Sequence, residues 1–160
     1  MTKIKKSWVE RLRDDKGYPK VEPITERMNA KWGTGTVVVP APMDVDTFMK
    51  KVPSGKLTTV DEIRQALAIK YAATIGCPIT TVIYTGIAAH AAEEQASEGQ
   101  KDITPYWRTL GNDGTLNHKY PGGVQKQANR LKEEGHTVLF FKGNKLPKAQ
   151  DFEKKLATLI

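Results

Sequence analysis

KLTTVDEIRQALAIKYAATIGCPITTVIYTGIAAHAAEE, residues 56–94, reads as two helices joined at a glycine-containing break. Thr59 followed three residues later by Glu62 is a capping box, in which the hydroxyl accepts a backbone N–H and the carboxylate reaches back to the cap. Behind it Val60, Ile63, Leu67 and Tyr71 form one apolar stripe at helical spacing. Ile75-Gly76-Cys77-Pro78 then stops the first helix. An alanine-rich second helix over residues 80–94 ends in the polar loop from Gln95 to Asp102. Two helices across a short glycine turn are the helix-turn-helix pattern, although unrelated helical hairpins share it.

On the N-terminal side, Pro42, Asp44 and Asp46 open another helix, with Val45, Phe48, Met49 and Val52 spaced to face inward and Pro53-Ser54-Gly55 after it. Val37-Val38-Val39 suits a short strand, and residues 1–35 an arm or a short helical piece draped on the domain. On the C-terminal side, TPYWR at 104–108 precedes a GNDG turn and LNHKYPGG. A helix with Val124, Ala128 and Leu131 on one face follows, closed at Gly135. Residues 137–146 are expected to form a β-hairpin around KGNK, and residues 149–159 a short terminal helix. The resulting division is a basic extension over 1–43, a core domain over 44–136, and a hairpin with helix over 137–160.

The chain has 160 residues, a formal net charge of +7 and one cysteine, Cys77. A lone cysteine excludes an internal disulfide and a cysteine-built zinc site, and the three scattered histidines suggest no metal. No cofactor, metal or membrane partner is expected. The absence of an apolar stretch of membrane-spanning length and of a signal-peptide middle leads to the expectation of a cytoplasmic protein. Seven basic side chains against three acids in residues 1–20, and five against two in residues 137–160, suit an anionic partner or a solubilising surface equally.

In chain order these pieces resemble the DNA-binding domain of the alkylguanine–DNA alkyltransferases and their catalytically inactive relatives, the alkyltransferase-like proteins. The family's P-x-G-K-x-T start is matched by Pro53, Gly55, Lys56 and Thr58, and its P-C-H-R loop by Pro105 and Arg108. Its Y-x-G-G turn is matched by Tyr120, Gly122 and Gly123, and its L-x-x-E-G helix end by Leu131, Glu134 and Gly135. The likeness covers roughly residues 44–136. It implies a mainly α-helical, winged-helix-like domain with short strands. It also implies a double-stranded DNA partner, alkylated guanine as a candidate lesion, and downstream repair proteins.

The departures from the family pattern govern the mechanism. Where active enzymes carry cysteine and histidine, this chain has Tyr106 and Trp107. A phenol with a pKa of about 10 is only about 0.1% ionised at neutral pH and cannot replace a thiolate. No catalytic residue is therefore assigned, and the expected activity is recognition without reaction. An aromatic ring at position 106 could instead stack on a base, a contact worth about 1–3 kcal/mol. The family's recognition helix supplies an arginine that fills the gap left by a flipped base. Residues 80–92 contain neither arginine nor lysine, and Val60 replaces a family tyrosine.

Candidate base-pocket residues are thus Tyr106, Trp107, Arg108, Tyr120, Gly122 and Gly123. Arg108 suits a bracing salt bridge, Trp107 core packing, and Tyr120 either the pocket border or a staple before the next helix. Candidate phosphate contacts are Lys56, Thr58, Thr59, Thr80, Thr81, Tyr84, Lys119 and, in addition, Lys126, since hydroxyls and helix N-termini donate to phosphate oxygens. Two alternatives remain open. One is a residual alkyltransferase using Cys77, whose position at a helix start could lower a thiol pKa. The other is an interaction module in which the arginine-free helix takes a protein or small ligand.

Overall fold

The computed structural model describes residues 6–160, so Lys3 and Lys5 of the predicted basic arm lie outside the described residues. The fold is mainly α with short strands. The two helices read from the sequence are α4 (Val60–Lys70) and α5 (Pro78–Ser97), the latter the longest element among the described residues. Thr59 caps α4, its Oγ1 accepting from the Glu62 N–H at 3.2 Å, but the expected return bond from the Thr59 N–H to the Glu62 carboxylate does not form. Ile63 and Leu67 of the predicted stripe are fully buried, while Val60 and Tyr71 at its ends are partly buried. Between the helices lies β4 (Ile75–Gly76). A Cβ on Gly76 would meet the Arg64 carbonyl oxygen at 2.6 Å, so only glycine lets the turn pass this close to α4.

Helix α3 (Pro42–Lys50) packs against α5 and buries Val45, Phe48 and Met49. Its start is held by the Asp44 carboxylate, which accepts from the Ala41 N–H at 2.8 Å. The N-terminal segment contributes a short helical piece that lies on the domain. Helix α1 (Trp8–Arg13) lies on α5, with Trp8 stacked on His90 at a ring separation of 4.4 Å. The Glu94 carboxylate accepts the first N–H groups of α1, Trp8 at 3.0 Å and Val9 at 3.2 Å. Further on, β1 (Lys20–Pro23) pairs antiparallel with β2 (Thr36–Val39), which pairs in parallel with β4. The short α2 (Asn29–Trp32) lies between β1 and β2 in sequence. This sheet covers a small second cluster of Ile24, Val37 and Cys77.

Two parallel dipeptides, β3 (Thr58–Thr59) and β5 (Thr109–Leu110), bring the start of α4 beside the segment after Arg108. Helix α6 (Gly123–Glu133) follows and buries Gln127, Ala128 and Leu131. At its end Gly135, at φ 90°, lets the His136 N–H return to the Leu131 carbonyl at 3.0 Å. The antiparallel pair β6 (Val138–Leu139) and β7 (Lys148–Ala149) closes the hairpin, two residues later than the predicted return at Leu146.

The expected helix over 149–159 does not form. Only a 3-10 turn at Phe152–Lys155 is present, and the chain then extends beside Leu57. There the Leu57 N–H donates to the Lys155 carbonyl at 2.9 Å, and the Ala157 N–H to the Leu57 carbonyl at 2.8 Å. Strand-like bonds to an inner segment displace a helix too short to be stable alone. Among the described residues no helix is long and apolar enough to cross a membrane.

Candidate nucleic-acid interface

Two neighbouring regions contain the residues singled out from sequence, and they differ in accessibility. The first is the 3-10 turn Tyr106–Arg108, which begins at Pro105. Tyr106 is only 1% exposed. Its ring meets Trp107 and Tyr120 edge-on, both at 5.3 Å, and its hydroxyl donates to Glu93 Oε1 at 2.6 Å. Glu93 is also paired with Lys126 at 2.9 Å. Burial and the Glu93 carboxylate raise the phenol pKa well above its ordinary value. Burial alone would raise Glu93, but the Tyr106 and Lys126 hydrogen bonds outweigh it and hold the carboxyl below its usual range.

Next to it, Glu134 accepts from the Trp107 indole N–H at 3.1 Å and is forked by Arg108, through Nε at 2.9 Å and Nη2 at 2.5 Å. Arg108 Nη1 also donates to the Val52 carbonyl at 2.7 Å. Against the raising effect of burial, these bonds lower the Glu134 pKa. The Trp107 ring lies under Arg130, whose guanidinium is 4.5 Å from the ring centre. Gln127 joins the turn to the following loop, donating to the Trp107 carbonyl at 3.2 Å and accepting from the Asn117 N–H at 2.8 Å. Every polar group of the three side chains therefore has an internal partner. The expectation that Tyr106 presents a ring face to a base is not met in this structure, because the side chain is buried, with its ring edge-on to Trp107 and Tyr120. Arg108 and Trp107 take the bracing and packing roles.

The second region is an open cavity of about 310 Å³ between α5 and the loop 110–120. Val60, Val82, Thr85, Leu110, Lys119 and Tyr120 are among its lining residues. Lys119 stands exposed at this loop, and its N–H donates to the Asn117 side chain at 2.9 Å. Tyr120 is nearly buried beneath the cavity, and its hydroxyl donates to the Thr109 carbonyl at 3.1 Å. Burial raises its pKa as well. Gly122, at φ 80°, precedes α6, and a Cβ there would strike the Lys126 side chain at 2.5 Å. Gly123, at φ 69°, begins the helix without such crowding.

The face of α5 differs from its sequence expectation. Thr81 and Thr85 turn inward on the same side as Ala88 and Ala92, and their hydroxyls donate back to the Cys77 and Val82 carbonyls, both at 2.6 Å. Thr80 Oγ1 is buried, and Tyr84 is half-buried. The outward positions are Ile79, Val82 and Ile83, at 60%, 49% and 53% exposure. They follow the i, i+3, i+4 spacing that puts residues on one helix face. This signal was available in the sequence once the alanines fixed the buried stripe. Thr58 and Thr59 are likewise buried and corrected as phosphate ligands, since Thr59 is occupied as a cap. Lys56 is exposed but does not line the cavity, and Lys126 is tied to Glu93. Cys77 is buried as the residue before α5, in the cluster under the sheet, and does not line the cavity.

No family model matches the sequence. No curated protein matches it either. Among solved structures, the chain is similar to the S. pombe alkyltransferase-like protein Atl1, crystallised in complex with damaged DNA containing O6-carboxymethylguanine. The identity is 18% and the TM-score 0.47, with 73% of this chain and 94% of that chain covered.

Proposed function

We propose that this protein binds double-stranded DNA without reacting with it, and that the cavity between α5 and the loop 110–120 receives a base, with alkylated guanine as the favoured ligand. The observation that carries this reading is the cavity itself, about 310 Å³, open, mostly apolar and bordered by Lys119. Its size is at the lower end of small-ligand sites, as suits one planar heterocycle. The chain's +7 charge favours a polyanion. The binding unit is the domain of residues 44–136, in a winged-helix-like arrangement with α4 and α5 as the helix-turn-helix. No cysteine thiol lines the cavity, because Cys77 packs elsewhere, and the Tyr106 hydroxyl is held by Glu93. Recognition would therefore be handed to other repair proteins.

Ile79, Val82 and Ile83 can contribute as apolar wedges at base steps, a common device of proteins that bind the minor groove. The same exposed ridge favours a second reading, an interaction module for a protein partner, because contiguous apolar exposure marks binding surfaces in general. Fluorescence anisotropy on a short duplex with and without a methylated guanine separates the two. The first reading expects tighter binding to the lesion, with affinity falling by a log–log slope of about −0.9 per phosphate contacted. Absence of duplex binding at low salt would leave the interaction module.

A further inference from the structure

The C-terminal hairpin carries a feature that the duplex reading does not use. Leu139, Phe140, Phe141 and Leu146 are all exposed within ten residues, LFFKGNKLPK. Lys142, Lys145 and Lys148 stand among them with no acidic residue, and none of the three is in an ion pair among the described residues. We propose that this arm, residues 139–148, is a binding surface for single-stranded nucleic acid, with Phe141 as the stacking face and the lysines as phosphate contacts.

Composition separates this occupant from a protein partner. Lysine is depleted in protein–protein interfaces, whereas exposed aromatics interleaved with cations are the usual platform for unpaired bases. The arm is also held in place. Besides the β6–β7 pairing, the Leu116 N–H donates to the Pro147 carbonyl at 2.9 Å and the Ala149 N–H to the Gly114 carbonyl at 3.0 Å. An ordered platform loses less entropy on binding than a loose loop.

The two phenyl rings are not equivalent. Lys132 of α6 lies 5.1 Å from the centre of the Phe140 ring, a cation–π contact that occupies it. Phe141 lines an open groove of about 410 Å³ with Thr115, Lys145, Leu146 and Lys148. One carboxylate borders this groove, Asp113, and it is engaged by the Thr115 hydroxyl at 2.8 Å and N–H at 3.2 Å. On the other side of Phe141 the lining includes Asp151 and Glu153, which repel phosphate. The strand is therefore expected on the Thr115 side, where Leu146 and Thr115 also border the base cavity.

The test is anisotropy of the full chain with a short labelled oligo-thymidine, run beside the duplex. Loss of one stacked base predicts about tenfold weaker oligo-thymidine binding for Phe141→Ala. Phe141→Trp should keep the affinity, with its indole emission quenched by the bases. Lys145→Gln should reduce the salt slope by about 0.7. Undiminished binding by Phe141→Ala, or no oligo-thymidine binding by the parent at low salt, would overturn the proposal. Loss of duplex binding alone bears on the cavity, and loss of oligo-thymidine binding alone bears on the arm.

Discussion

Tyr106 and the first turns of α5 are both candidates from the sequence for facing DNA, yet the turn Tyr106–Arg108 and the start of α5 stand in opposite relations to solvent. In the first, an aromatic pair and an arginine are drawn inward by two carboxylates, Glu93 and Glu134. In the second, the polar hydroxyls are drawn inward by their own helix, and isoleucine and valine are left outside. The difference follows from what each side chain can be paired with. A buried phenol or guanidinium needs a partner, and both find an anion within hydrogen-bond reach. A threonine in a helix can bond to its own backbone and so tolerates burial beside alanine. The Tyr106–Arg108 turn thus serves as a clamp between α3, α5 and α6, and the open surface lies at the adjacent cavity.

Breaking the clamp should have the largest effect. Arg108→Ala leaves Glu134 mostly buried without its main partner, and stability measured by denaturant should fall by about 3 kcal/mol. The Glu134 pKa is lowered in the folded state, so this stabilisation is present above its ordinary value of 4.5 and is lost as pH falls below it. The gap between parent and variant should accordingly narrow in acid. Tyr106→Phe removes one hydrogen bond to a charged acceptor, at about 1.5 kcal/mol, and should leave duplex affinity unchanged. An affinity loss with no stability loss would place Tyr106 in the binding surface after all.

On the open side the signs reverse. Lys119→Gln should change stability by less than about 0.5 kcal/mol and reduce the salt slope of duplex binding by about 0.9. The smallest effect is expected at His136. Burial first, and then the Lys155 charge, lower its pKa below 6.5. The folded state resists protonation there, so stability is full above pH 6.5 and declines as pH falls below it. Thermal melts between pH 7.5 and pH 5.5 should show this decline, and His136→Gln should flatten it.

Much of the helical frame was legible in the sequence. The Thr59–Glu62 cap, the α4 stripe and the Gly135 stop depend on neighbours within a few residues, where pattern and cause coincide. The motifs at Pro105–Arg108 and Tyr120–Gly123 fall at the buried turn and at the border of the cavity. What the sequence could not disclose was direction. Whether Tyr106 faces a ligand or Glu93 depends on how the turn packs against both α5 and α6, through contacts 13 residues and more away. The terminal segment was misread for the same reason, since its partner is Leu57, far away in the chain. Leu146 and Thr115 join the cavity and the arm only because the hairpin folds back on the loop 111–116.

The most direct test of this division is NMR shift mapping of the full chain during titration with a duplex that contains one methylated guanine. The account predicts the largest perturbations at residues 79–86 and 110–120, with the side-chain signals of Tyr106 and Trp107 nearly unmoved. Perturbations centred on Tyr106–Arg108, with α5 unaffected, would contradict it.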